Sequence, residues 1–325
     1  MITNHADIFY LTGIELEGFW LVATKHGCAA IASPMLAGQI RSMKPCFSVI
    51  ESENMAKTLG LYCRKQRVRS VEVDCDVTTM ALASRLKKFV SLTAVPSPLT
   101  PSRLIKSAAE INAIRNACQI AIGACRYARN LCKPGVSEAD IHYKIEEYFA
   151  RRRVKSSFPP IVAFGQNSAN PHHVSGKRKL RKNDTVLMDL GCIWKGYCSD
   201  LTRTFLLGKI TGLQLRVFSS VKRAQQAAMK AAEQGVFACD VDNAARNLIA
   251  RNGYGSRFIH STGHGVGIDI HEAPRISAKD KTVLKAGMVI TVEPGIYLPG
   301  KFGVRIEDTV LVTKNGCKIL TKERK

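Results

Sequence analysis

No part of this sequence restricts the fold more than residues 186–205, which read VLMDLGCIWKGYCSDLTRTF. Two apolar, β-branched runs flank Trp194, Lys195 and Gly196, a pattern that predicts a β-hairpin with a glycine-relaxed turn. Centring the turn on Trp194 and Lys195 sets Asp189 opposite Asp200. Directly opposed residues have Cβ atoms roughly 4.5–5.5 Å apart, and like charges there destabilise the pair. Three arrangements relieve the repulsion: a cation such as Arg203 beside one carboxylate, a bulge near Gly196 that turns the two to different faces, or a metal ion between them. The hairpin alone leaves all three open.

At 325 residues the chain exceeds the usual size of one domain, so two are expected. A hydrophobic share of 46% with 23% charged residues is ordinary globular composition and argues against extensive disorder. Asp7, Glu15 and Glu17 near the start, without a basic leader, speak against a secretory signal. No stretch approaches the ~18 uninterrupted apolar residues of a membrane span. Eleven cysteines without a Cys-x-x-Cys pair suggest neither a disulfide framework nor a thiolate zinc site, and a reducing cytoplasm is the expected setting. Cys118, Cys125 and Cys132 recur at helical spacing, as small buried hydrophobes do. The formal charge of +22 includes Arg151-Arg152-Arg153-Val154-Lys155 and Lys177-Arg178-Lys179 with Arg181-Lys182. Such runs can bind nucleic acid. No aromatic residues interleave them as a single-strand stacking platform requires, so a solvated face is preferred and nucleic acid is not expected as a partner.

Residues 1–99 read as a small α/β domain, with strands at 19–23, 29–32 and 71–73 and an amphipathic helix at 80–90. His5 and His26 stand alone there. The proline-rich VPSPLTP at 95–101 cannot continue a helix and marks the boundary to a second domain, 100–325. Ser107 and Glu110 have the capping-box spacing before a helical pattern through Leu131, ended by Pro134-Gly135. Ser137 with Asp140 opens a second helix. Thr211 with Gln214 opens a third, closed by Gly235. Asp240 or Asp242 opens a fourth that ends near Gly253. Strands at 161–164, 289–292 and 304–312 join the hairpin. Helix pairs alternating with antiparallel strand pairs describe an α+β fold, with helices on one face of a curved sheet. The repeated order of helix, helix and strand pair hints at an internal duplication.

The chemistry concentrates in four carboxylates and an imidazole. His264 lies between glycines, where the backbone can approach whatever the ring touches. Glu293 and Glu307 sit in the apolar, strand-like VITVEPGIY and FGVRIEDTVLV, and fully buried glutamates are rare unless paired. One of them beside Arg305 would be an ordinary ion pair. Two in facing strands joined through 298–302 make a second carboxylate pair like Asp189 and Asp200. Two divalent cations would cancel the four negative charges. Oxygen donors with one imidazole and no thiolate suit Mn²⁺, Co²⁺ or Fe²⁺ as well as Zn²⁺. Two such ions about 3.5–4 Å apart activate water and polarise a carbonyl or phosphoryl oxygen.

The segments NPHH at 170–173, MDLG at 188–191, SDLTRTF at 199–205, GHGVGIDIHEAP at 263–274, VEPGIY at 292–297 and RIEDTVLV at 305–312 resemble the signature blocks of the pita-bread metallopeptidases. Among these they most resemble aminopeptidase P and prolidase, the branch that acts at Xaa-Pro bonds. The likeness covers roughly 103–325, with the blocks in the expected order. It implies a pita-bread catalytic domain whose metal ligands are Asp189, Asp200, His264, Glu293 and Glu307. It implies two divalent ions per subunit, Mn²⁺ foremost, and a bridging hydroxide that attacks the residue before proline. His172 and His271 match the substrate-side histidines, Arg305 the supporting arginine and Glu293 the general acid and base. Tyr297 is placed at the substrate pocket, while His173 is read as a satisfied loop histidine. The implied partners are a peptide with proline second and another copy of the chain in a homodimer. Residues 7–13, DIFYLTG, resemble part of the family's first domain, which here begins late, without the usual preceding helix and strand. Two alternatives are a methionine aminopeptidase, disfavoured by the prefixed domain and the NPHH and VEPGIY phrases, and a metal-free binding relative, disfavoured because all five ligands are present.

Overall fold

Hydroxyl caps dictate where three of the long helices begin. Ser107 Oγ accepts the Glu110 N–H at 3.4 Å while the Glu110 carboxylate accepts the Ser107 N–H at 2.9 Å, and Ser137 with Asp140 and Thr211 with Gln214 repeat the arrangement. Each cap contributes about 1 kcal/mol. The helices they open are Ala108–Leu131, Glu138–Arg151 and Gly212–Ala231. The fourth helix, Ala238–Arg251, starts ahead of both aspartates expected to cap it. Its first donors are taken by backbone instead, Ala238 N–H by the Thr282 carbonyl and Cys239 N–H by that of Asp280, each at 2.9 Å. Asp242 is buried and holds Arg246 and Thr262.

The computed structural model describes residues 1–322, and the chain divides into units Met1–Arg103 and Leu104–Lys325. In the first unit Trp20–Thr24, Gly27–Ala32 and Ser48–Glu51 form one sheet, and Ser70–Asp74 pairs in parallel with Ser91–Val95. The helix expected at 80–90 stops at Leu86. The phrase at 7–13 is the end of a helix, His5–Thr12, whose buried Asp7 accepts hydrogen bonds from Ser97 Oγ at 2.7 Å and Arg103 Nη1 at 2.8 Å.

In the second unit each helix pair packs on its own antiparallel strands. Helices Ala108–Leu131 and Glu138–Arg151 share a core with Val162, Phe164, Val186, Met188 and Leu190, so they cover the sheet of Ile161–Phe164, Thr185–Leu190 and Leu201–Leu206. Helices Gly212–Ala231 and Ala238–Arg251 share a second core with Ile290, Val292, Val304 and Val310. Those residues belong to Val289–Val292, Phe302–Arg305 and Asp308–Thr313. Cys118 and Cys125 are buried on the apolar stripe of their helix. Burying a large aliphatic or phenyl side chain contributes about 1.5–3 kcal/mol, so these two cores fix the strands that carry the acids. This is the pita-bread α+β fold.

The first hairpin turns one residue later than expected. Trp194 pairs with Tyr197, Leu190 with Leu201 and Asp189 with Thr202, which makes Lys195 and Gly196 the central turn residues, at φ 50° and 78°. Both positions of a type I′ turn require positive φ, and Gly196 is suited to it as Trp194 is not. Asp200 therefore lies diagonal to Asp189 on the same face. In the second hairpin Val292 pairs with Asp308 and Gly295 with Arg305, so Glu293 and Glu307 face each other directly. The strand expected at 304–312 breaks at that point into Phe302–Arg305 and Asp308–Thr313.

Candidate metal centre

The two hairpins bring Asp189, Asp200 and Glu307 together so that one carboxylate oxygen of each lies within 4.8 Å of the others. His264, on the strand Gly263–Gly265, faces them: its Nε2 is 3.3 Å from Glu293 Oε1 and 3.6 Å from Asp200 Oδ2. The ring's Nδ1 lies 3.1 Å from the Gly265 carbonyl. A carbonyl only accepts, so Nδ1 carries a proton and Nε2 is the ring atom turned to the acids, the one through which a neutral imidazole binds metal. The five expected ligands thus converge.

Each hairpin braces an acid of the other. Arg305 Nη2 donates to Asp189 Oδ2 at 2.5 Å, and Thr202 Oγ1 donates to Glu307 Oε2 at 2.7 Å. Arg305 Nε closes the circuit by donating to Thr202 Oγ1 at 3.1 Å. The remaining oxygens, Asp189 Oδ1 and Glu307 Oε1, are buried without any hydrogen-bond partner. Buried polar atoms are seldom left so.

Electrostatics point the same way. Burial, then the charges of Glu307, Asp189 and Glu293, push the Asp200 carboxyl well above its ordinary range, and burial with Glu293 and Asp189 does the same to Glu307. Asp189 is raised by burial despite Arg305. Burial opposes ionisation of Glu293 too, but the hydrogen bond and charge of His264 bring it down to about 2. Unpartnered oxygens, an imidazole Nε2 converging on them and acids that resist joint ionisation together describe a cradle for cations. The donor set fits divalent metal.

A cavity of about 880 Å³ opens over the centre, lined by Asp189, Asp200, His264, Glu293, Arg305, His172 and His271 among others. His172 follows an Asx turn in which its N–H donates to Asn170 Oδ1 at 3.2 Å. The His271 ring meets that of His264 edge-on at 4.4 Å, and burial, then His264, lower its pKa. His173 donates to Glu138, a fully buried carboxylate that also accepts the N–H groups of Phe164 and Gly176 and the Asn167 amide. It anchors the loop that presents His172.

Tyr297 does not line this cavity. It is 2% exposed behind the centre, where its hydroxyl accepts from Arg305 Nη1 at 2.8 Å and meets His260 Nε2 at 2.9 Å. The strand Gly295–Leu298 directs it inward to satisfy the arginine. Sequence reasoning missed Thr202, although strand alternation puts it on the face of Asp200. It also missed Arg275, which lines the cavity four positions after His271, and the buried pair of Lys106 and Glu272, 3.1 Å apart beside His271.

Residues 112–314 match the model of metallopeptidase family M24. The chain is 36% identical to the Xaa-Pro dipeptidase of Pyrococcus horikoshii, over 99% of this chain and 92% of that one. It is 45% identical to the Xaa-Pro dipeptidase of Pyrococcus furiosus, over 74% of this chain and 68% of the relative. In structure it resembles an Xaa-Pro dipeptidase from Bacillus anthracis with a TM-score of 0.95 at 31% identity, covering 99% of this chain and 92% of the other. The chain belongs to the metallopeptidase family M24.

Proposed function

We propose that this chain hydrolyses the Xaa-Pro peptide bond with divalent metal, releasing the residue before proline. The observation that carries the reading is the pair of unpartnered buried oxygens, Asp189 Oδ1 and Glu307 Oε1, beneath a cavity whose lining includes His172 and His271. Asp189, Asp200, His264, Glu293 and Glu307 would hold two ions, Mn²⁺ foremost and Co²⁺, Zn²⁺ or Fe²⁺ as alternatives, which when bound polarise the scissile carbonyl and acidify water.

The protein's own groups do the rest. Glu293 accepts the proton of the attacking water and delivers it to the departing proline nitrogen, which requires hydrogen-bond reach to both. His271 is held neutral by its surroundings and donates an N–H to the developing oxyanion. His172 orients the peptide across the cavity. Arg305 keeps Asp189 in place and does not reach the substrate. A proline nitrogen has no hydrogen to donate, so selection rests on the shape of the wall around Phe158, Pro160 and Ile270. Assembly as a homodimer and a reducing cytoplasmic setting complete the proposal, the latter supported by eleven free cysteines.

The test compares metal-stripped and Mn²⁺-loaded protein on Gly-Pro and Gly-Pro-Ala, following release of glycine. Release that depends on metal supports the reading. Cleavage of Met-Ala-Ser in preference to either would replace it with a methionine aminopeptidase.

A further inference from the structure

In the first unit two helices end at the same place. Met55–Lys65 and Met80–Leu86 each lead into a strand, Ser70–Asp74 and Ser91–Val95, and these strands are parallel, with Ser70 paired to Ser91. The segments that join helix to strand, 66–69 and 87–90, therefore emerge side by side at one end of the unit.

Both joins are basic. The first helix closes on Arg64 and Lys65 and is followed by Arg67 and Arg69; the second has Arg85 in its last turn and is followed by Lys87 and Lys88. All of these side chains are exposed, and among the described residues none of them is in an ion pair. No acid occurs in 54–71 or in 77–103. Glu72 stands two positions into its strand, and Asp74 closes the far end, about 13 Å from Ser70 at the usual rise of a strand. The negative ends of the helices account for Arg64, Lys65 and Arg85. They do not account for the four cations beyond, which crowd like charge and would gain from an anionic partner.

An aromatic ring stands among these cations. Phe89 follows Lys88 and is 36% exposed. Its Cβ lies against the first helix, where only glycine leaves room: a Cβ at Gly60 would come within 2.8 Å of it. The basic runs at 151–155 and 177–182 contain no ring. Here Lys87, Lys88 and Phe89 meet Arg67 and Arg69 only because the two strands pair.

We infer that this end of the first unit binds single-stranded nucleic acid, with phosphates against the arginine forks and lysines and a base stacked on Phe89. A lipid surface fits less well, because the apolar stripe of the first helix, Ala56, Leu59 and Cys63, is buried in the unit's core and cannot insert. A second copy of the chain set there about a twofold axis would bring like charges together. The inference is independent of the Xaa-Pro reading.

The test titrates the full chain, stripped of metal so that no ion bridges to phosphate, into a fluorescent oligouridine of about twelve nucleotides and follows anisotropy. Four phosphate contacts give a slope of about −2.8 in log K against log salt, a fall of about fiftyfold from ~50 to ~200 mM. Arg67→Glu, Arg69→Glu, Lys87→Glu and Lys88→Glu together should flatten that slope and weaken low-salt binding by a similar factor. Lys177→Glu, Lys179→Glu, Arg181→Glu and Lys182→Glu change the net charge equally and should leave the slope in place. Phe89→Leu should weaken binding by about fivefold or more at unchanged slope, the lower end for a stacked base, while Phe89→Tyr, which keeps the ring, should bind as the parent does. Melting curves establish that each variant is folded. Equal losses in the two charge-reversed proteins overturn the inference, since net charge alone would then hold the strand. So does a Phe89→Leu protein that binds as well as the parent, an oligonucleotide that does not bind at all, or a preference for phosphatidylglycerol vesicles over it.

Discussion

The two hairpins that carry the acids solve one problem in different ways. In the first, Asp189 and Asp200 are diagonal neighbours in a ladder whose register is set by a tight turn at Lys195 and Gly196. In the second, Glu293 and Glu307 are directly opposed, and the ladder is interrupted where they stand. The first hairpin offsets its acids along the ladder and the second breaks its strands where they meet, yet in both the repulsion persists: Asp189 still pushes the Asp200 carboxyl up, and Glu293 that of Glu307. Within each hairpin one acid is braced from the other hairpin, and the second faces His264. The braced acids depend on the protein for their geometry; the other two are held chiefly by the imidazole and, by the proposal above, by metal.

Substitutions that separate these dependences range from loss of catalysis to small changes in stability. Glu293→Gln removes the acid–base group and keeps a hydrogen-bond acceptor for His264. It should cut Xaa-Pro turnover by about 10²–10⁴-fold, the usual weight of a positioned acid–base group, while the metal-free protein keeps its fold. Near-normal turnover would discard the role given to Glu293. Arg305→Leu acts in the opposite sense. It strands Asp189 and the Tyr297 hydroxyl, and removing one partner of a buried charge pair costs about 3–5 kcal/mol. Thermal unfolding without metal reads this directly, and an unchanged midpoint would mean that Asp189 is not braced by the arginine.

Thr202→Val lies between these extremes. It leaves Glu307 Oε2 and Arg305 Nε without their shared hydroxyl, and loss of a bond that orients a metal ligand typically costs about 10–100-fold in metal affinity. Thr202→Ser keeps the hydroxyl and should restore binding. Calorimetric titration of Mn²⁺ into the metal-free proteins decides it, and equal affinities for valine and threonine would show that Glu307 needs no brace.

The same contrast explains what could be read from the chain. The second hairpin was legible because its two glutamates interrupt apolar runs, and a charge in such a run declares itself. Thr202 was not, because a threonine in a strand is ordinary and its role depends on an arginine far along the chain. The helix starts at Ser107, Ser137 and Thr211 were legible because a capping box is local; that at Ala238 was not, since its donors are met by carbonyls some forty positions away. Tyr297 was misplaced for a similar reason. Strand alternation gives its face but not the buried Arg305 and His260 that claim its hydroxyl. The first hairpin was misjudged by a single position, because Trp194-Lys195-Gly196 offers two ways to centre a turn and only backbone sign separates them.

That ambiguity gives the smallest and most specific test. With φ at 50°, Lys195 occupies the left-handed region, which costs a side chain with a Cβ roughly 1–2 kcal/mol and which asparagine tolerates better. Lys195→Asn should therefore stabilise the second unit by about 1 kcal/mol or less, a rise of about 2–4 °C in a unit of this size, with hydrolysis unchanged because the register that sets Asp189 diagonal to Asp200 is kept. Gly196→Ala, at φ 78°, should cost more than Lys195→Asn gains. Were the turn centred on Trp194 and Lys195 instead, Gly196 would be an ordinary strand position and alanine there would be harmless. Asp189 would then face Asp200 directly, and both hairpins would carry opposed acids. Paired melting curves for the two variants distinguish one arrangement from the other.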